Sequence, residues 1–222
     1  MHLVIINGSP RVKKYSNTDK IISAFVKGFC KDGNTYELYS ISNRAEWEKA
    51  KNAFEQNTEI LIAIPLYVEN LPGILLEFLE TLEEKKGADT RISFILQGGF
   101  AEGCQLRCGE EFLEKLPALL GCTYGGTLVK GDNFAIRVTE GENLAKVLKP
   151  YEEMGSVFAE KSGFDNEKAK AFTGPEVFSK SVQVLLQFMF HTFAKSSFKK
   201  VAKSWGCTKP LMDRPFSVTV RS

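Results

Sequence analysis

Cysteine, histidine and long apolar runs are scarce in this 222-residue chain, and each scarcity removes a class of protein. The five cysteines stand at no paired spacing and leave one over, which argues against a disulfide framework and for a reducing, cytoplasmic setting. Cys104 and Cys108 share a helix face at i, i+4, but no third or fourth ligand accompanies them. They are expected to be buried thiols, and no metal site is expected. His2 and His191 lie at opposite ends of the chain without a carboxylate at ligand spacing, so neither is expected to act in catalysis. No stretch approaches the roughly 18 apolar residues of a membrane span. Even the most apolar one, Val182 to Phe190, is broken by Gln183 and Gln187. Met1 leads straight into a strand pattern, so no leader is expected. A net charge of +2 is too small to suggest nucleic acid as a partner.

Two glycine signatures are missing as well. There is no Gly-x-x-x-x-Gly-Lys-Ser/Thr, which excludes the usual nucleoside-triphosphate loop. Gly8 is not followed by the second and third glycines of a dinucleotide fingerprint, and no acidic residue is placed about 20 residues on to take a ribose. What stands there instead is Leu3 to Thr18: a buried-strand run, a Gly8-Ser9-Pro10 break, then Ser16-Asn17-Thr18 opening a helical pattern. That order sets backbone N–H groups and hydroxyls at the end of a strand, facing the positive end of a helix. Such a site suits a single phosphate dianion.

The rest of the body alternates strand and helix patterns. Leu3–Ile6, a continuous apolar run, and Tyr36–Ile41, Ile60–Ile64, Ile92–Leu96 and Tyr124–Val129 read as five strands. Between and after them, helical spacing predicts helices over Asp19–Cys30, Ala45–Phe54, Ile74–Leu82, Cys104–Leu120 and Asn143–Lys161. This alternation implies a parallel sheet with helices on both faces and right-handed crossovers. In such a sheet, ligands bind beyond the carboxyl ends of the strands, where the strand order reverses. The loops after strands one, three and four therefore converge on one edge. Two other users of this architecture fail at the residues. A phosphoacceptor domain needs an aspartate where Pro65 ends the third strand, and a low-molecular-weight phosphatase needs a cysteine in the first loop.

The Gly8-Ser9-Pro10-Arg11 stretch followed by Ser16-Asn17-Thr18 resembles the flavin-mononucleotide loop of the NAD(P)H-dependent FMN reductase family, a branch of the flavodoxin-like proteins. Pro65 to Gly73 is similar to that family's second flavin loop, and Gln97 to Glu102 to its third. The resemblance spans roughly the first 130 residues and thins beyond Gly163. It implies a flavodoxin-like three-layer α/β sandwich with a five-stranded parallel sheet in the order 2-1-3-4-5 and FMN as cofactor. It also implies an enzyme passing electrons from NAD(P)H through that flavin to a small acceptor of the quinone, flavin or nitroaromatic type. A homodimer with each flavin near the subunit interface is implied too.

Ser9, Arg11, Ser16, Asn17 and Thr18 are then expected at the flavin phosphate, where hydroxyls and amides satisfy acceptor oxygens. Pro65, Leu66, Tyr67 and Val68 are expected along the ribityl chain and ring, and Gln97, Gly98, Gly99 and Phe100 at the pyrimidine edge. Hydride chemistry belongs to a flavin itself, so no catalytic side chain is expected. The competing reading is a flavodoxin-type electron carrier or flavin sensor without nicotinamide turnover. Residues 1–163 are expected to form the FMN-binding domain. Residues 164–222, which carry a Phe-rich helical stripe and then a lysine run, are expected to form a helical extension packed on the same domain or on a partner subunit.

Overall fold

The computed structural model describes residues 1–86, 89–210 and 213. The chain divides into two compact units, Met1–Val177 and Phe178–Ser222.

In the first unit, five strands form one parallel sheet: β1 (His2–Asn7), β2 (Thr35–Ser40), β3 (Glu59–Pro65), β4 (Arg91–Gln97) and β5 (Thr123–Lys130). Their order is 2-1-3-4-5, with every neighbouring pair parallel. Its described residues include the α-helices α1 (Asn17–Phe29), α2 (Trp47–Gln56), α3 (Gly73–Leu79), α4 (Arg107–Leu119), α5 (Ala135–Val138), α6 (Gly141–Lys161) and α7 (Glu167–Phe172). Order and layering are those of a flavodoxin-like α/β sandwich, as expected.

The layering follows from the period of two along each strand. Val4 and Ile6 face one core with Phe54 of α2, Phe78 of α3 and Leu113 of α4. Leu3 and Ile5 face the other, with Phe25 of α1 and Phe158 of α6. Both faces of β1 are covered, so all four residues are fully buried. On the second face α1 and α6 touch backbone to backbone. A Cβ on Gly28 would lie 1.8 Å from the Glu152 carbonyl oxygen, and one on Gly155 would lie 2.0 Å from that of Phe25. Only glycine permits that approach. Around it Phe25, Phe29, Phe158 and Phe164 form an aromatic cluster with centroids 4.9–6.1 Å apart, Phe25 stacked on Phe29 and edge-to-face with Phe158 and Phe164.

Several boundaries differ from the sequence reading. The helix expected over Ile74–Leu82 stops at Leu79, because the chain turns back there with the Thr81 hydroxyl donating to the Phe78 carbonyl at 2.7 Å. Gly103–Leu106 is a 3-10 turn ahead of α4, and α5 was not expected. The first unit also runs past Gly163. Phe164 donates its N–H to the Gly125 carbonyl at 2.8 Å, and both Phe164 and Ala169 are buried in its second core. This cover over β5 rests on Gly126 at φ +92, whose missing Cβ would meet the Phe164 and Asp165 backbone at 2.6–2.7 Å.

Most described residues of the second unit are helical. α8 (Lys180–Met189), one π-turn (Phe190–Ala194) and α9 (Lys195–Ser204) follow one another without a break. Among the described residues no helix is long and apolar enough to cross a membrane.

Candidate functional site

β1 ends at Asn7, whose fully buried side chain fixes the loop that follows. Its amide donates to Asp19 Oδ2 at 2.8 Å, and its Oδ1 accepts the Ser9 N–H at 3.0 Å. Gly8 donates to the Ala63 carbonyl of β3 at 2.8 Å, and a Cβ there would stand 3.1 Å from both that oxygen and Leu75. The loop is thus latched at once to α1 and to the strand beside it. Ser16 closes it as the N-cap of α1, its Oγ accepting the Asp19 N–H at 3.1 Å.

A cleft of about 230 Å³ opens beyond the carboxyl ends of the strands. Nine residues singled out from the sequence line it: Ser9, Arg11, Asn17 and Thr18 from the first loop and helix, Pro65, Leu66 and Tyr67 from the second loop, and Gln97 and Gly99 from the third. Hydrogen bonds tie these walls together. Gln97 Nε2 donates to Thr18 Oγ1 at 3.4 Å, the Leu66 N–H to the Gln97 carbonyl at 2.8 Å, and Asn17 Nδ2 to the Asn133 carbonyl at 3.1 Å.

Four expected residues are not among the lining. Ser16 is fully buried and spends its hydroxyl on the helix cap. Val68 is 95% exposed, because the chain reverses at Tyr67–Asn70 through two mutual backbone hydrogen bonds and turns its side chain out. Gly98 has its N–H on the Lys130 carbonyl and its own carbonyl on the Asn133 N–H, both at 3.1 Å, so its backbone serves the β4–β5 contact. Phe100 is 71% exposed and outside the cleft. Val68 and Glu69 both sit at positive φ, 49° and 62°, in the conformation that Asn-Gly ordinarily supplies to such a turn. For a β-branched valine that is a strained position.

The structure adds Tyr15, Asn133, Phe134 and Arg137 to the lining. Asn133 is the hub among them. Its Oδ1 accepts the Tyr151 hydroxyl of α6 at 2.7 Å, and its Nδ2 donates to the Lys130 carbonyl at 2.8 Å. Burial pushes the Tyr151 phenol far above its ordinary range, so it remains a donor. The available signal for this wall was Gly131-Asp132-Asn133, a turn cluster at the carboxyl end of the fifth strand.

The lining carries two guanidinium groups, three aromatic rings and no carboxylate. With the N-terminus of the 13-residue α1 at one end, the cleft suits an anion attached to a flat, apolar body. Neither histidine lines it. Cys104 and Cys108 are exposed rather than buried, and Cys108 Sγ donates to the Glu69 carbonyl at 3.3 Å.

No protein-family model matches the sequence, and no curated protein matches it. Solved structures do. An FMN-dependent NADH-azoreductase from Bacillus anthracis in complex with FMN is 16% identical, with a TM-score of 0.51, over 72% of this chain and 100% of that one. An apo NADH:FMN oxidoreductase is 15% identical, with a TM-score of 0.54, over 82% and 98%. An NAD(P)H:quinone oxidoreductase from Methanothermobacter marburgensis is 14% identical, with a TM-score of 0.51, over 70% and 98%. Likeness at this level of identity belongs to the fold: the chain shares the flavodoxin-like architecture of these proteins over nearly their whole length.

Proposed function

We propose that this protein is an FMN-dependent oxidoreductase that takes electrons from NAD(P)H and passes them to a small acceptor. The observation that carries the reading is the convergence of Ser9, Asn17, Thr18, Tyr67, Gln97 and Gly99 on one carboxylate-free cleft at the start of α1. Those residue types fit the cofactor. Ser9 and Thr18 hydroxyls, the Asn17 amide and the helix N-terminus supply donors for a monoester phosphate, and Arg11 and Arg137 supply charge. Tyr15, Tyr67 and Phe134 offer faces or edges to a planar ring system. Gly99 has nothing within 4 Å of where a Cβ would stand, which leaves its backbone open to close approach. Bound FMN would supply the hydride and electron chemistry. The chain's own task is to bind, to orient and to exclude water, which needs no nucleophile or general base. That dimerisation places each flavin near a subunit interface belongs to the same proposal.

The test is direct. Purified protein should bind FMN in a fluorescence titration and not FAD. Ser9→Ala with Thr18→Ala should weaken binding by about 2–4 kcal/mol. Anaerobic NADH or NADPH should then bleach the bound flavin without any partner protein. Protein that binds no added FMN removes the reading. Binding without bleaching leaves a flavodoxin-type carrier or sensor in its place.

A further inference from the structure

The second unit does not behave like the first. No residue of α8 or α9 is buried. Along α8 Lys180, Gln183 and Gln187, continued by His191, fall on a single strip at i, i+3, i+7 and i+11, and Ser181 lies off it. Most of the remaining circumference is bulky and apolar, and Val184, Leu185 and Phe188 are 57–66% exposed. In α9 the pattern narrows. Phe198, Val201, Ala202 and Trp205 line one face, and Lys195, Lys199, Lys200 and Lys203 occupy the other.

The π-turn between the two helices joins these faces. In an uninterrupted α-helix, Phe190 and Phe198 would project about 80° apart. Here the wider turn brings them into a stack, with centroids at 6.0 Å and planes 18° apart. The apolar face therefore continues from one helix into the next. From residue 177 to residue 212 there is no Asp or Glu, while six lysines stand there.

We propose that residues 180–205 form a membrane-surface helix that lies in the headgroup region of an anionic bilayer, with Phe188, Phe190, Phe193 and Trp205 in the acyl boundary and the α9 lysines on lipid phosphates. Two observations favour lipid over protein as the occupant. The apolar arc of α8 is too wide to be covered by one flat protein face, whereas a helix sunk into the headgroup boundary meets apolar surroundings over much of its circumference. The six lysines also have no carboxylate between residues 177 and 212 to neutralise them, whereas an anionic lipid surface neutralises every one. Lysine stems reach past an apolar face to the charged layer, and tryptophan favours that depth. For an enzyme of the kind proposed above, such an anchor raises the local concentration of acceptors dissolved in lipid. That consequence alone rests on the flavin reading; membrane binding does not.

Co-sedimentation of the full chain with vesicles of phosphatidylglycerol and phosphatidylcholine tests it, with pure phosphatidylcholine as the control. The protein should pellet with the anionic vesicles and remain in solution with the neutral ones, and binding should fall as salt is raised. Trp205 emission should shift to the blue on binding and lose its quenching by iodide, a change absent in Trp205→Phe. Lys199→Glu with Lys200→Glu should lower the bound fraction on the order of tenfold or more. Phe190→Ser with Phe193→Ser should do the same without changing the salt dependence. Protein that stays in solution with both vesicle types overturns the proposal. So does Trp205 already shielded from iodide without lipid, whether at every protein concentration, which means cover within the chain, or only on concentration, which means cover by a second copy.

Discussion

Helices α1 and α8 are built from similar material and meet opposite fates. Each alternates phenylalanine and branched aliphatics with polar residues, and each shows a strong apolar side to any helical projection. In α1, Ile21, Ile22, Phe25 and Phe29 are buried to within 1%, sealed under α6. In α8 nothing is buried. One difference between them is glycine. Gly28 and Gly155 let α1 and α6 close to backbone contact, and the phenylalanines of both helices are enclosed by that closure. α8 contains no glycine. An apolar stripe states that a face needs cover; the small residues state whether a neighbouring helix can provide it.

The comparison can be broken at its centre. Gly155→Val should destabilise the first unit by about 3 kcal/mol or more, since the new Cβ starts 2.0 Å from the Phe25 carbonyl oxygen and neither backbone can yield without opening the core. Its counterpart on the exposed helix, Leu185→Ser, should shift the unfolding of the first unit by no more than about 0.5 kcal/mol. Urea titrations followed by near-ultraviolet circular dichroism would measure both. Equal effects would mean that α8 is as much part of a packed core as α1.

A smaller effect is expected where α6 reaches the cleft. Tyr151→Phe removes the hydroxyl that donates to Asn133 Oδ1 and leaves a buried acceptor unpaired. A loss of about 1–2 kcal/mol in stability is expected, together with weaker FMN binding, because Asn133 holds the wall that faces Asn17. A smaller effect again belongs to the last residues before the division. Arg107 pairs with both Glu110 and Glu176, and its guanidinium holds the Glu176 carboxyl below the usual carboxylate range. A carboxyl depressed in the folded state stabilises above its unfolded pKa, and the contribution is lost as pH falls through the folded value. Glu176→Gln should therefore cost under about 1 kcal/mol at neutral pH and nothing in acid, since the carboxylate is half exposed and Glu110 remains. Thermal melts at neutral and acid pH would read the difference.

The sequence carried the strands most clearly. β3 holds a continuous apolar run and β4 one broken only by Ser93, as expected of strands covered on both faces, and the loops after them identify themselves by Pro65 and by Gly98-Gly99. It could not divide labour within Ser16-Asn17-Thr18. A cap uses one side-chain oxygen, all three residues can supply it, and only the bond from the Asp19 N–H shows that Ser16 is the one taken. The spacing of Cys104 and Cys108 fixed that they share a side but not which side faces water. Asn133 was hidden for another reason. Its partners lie 116 residues before it and 18 after it, and no local pattern reports such contacts.

The seam between α1 and α6 has a kinetic consequence for the cleft. Where two backbones touch there is no rotamer to absorb a small displacement, so the helices move as one piece or not at all. α1 begins at the Thr18 wall, and α6 holds Asn133 in place through Tyr151. Both of those walls therefore ride on one stiff block. The strained turn at Tyr67–Asn70 belongs to neither helix, and it closes on itself through its own two hydrogen bonds. Exchange of an occupant is therefore expected to depend more on Tyr67 than on Thr18, and Tyr67→Ala should change the dissociation rate of FMN more than Thr18→Ala does.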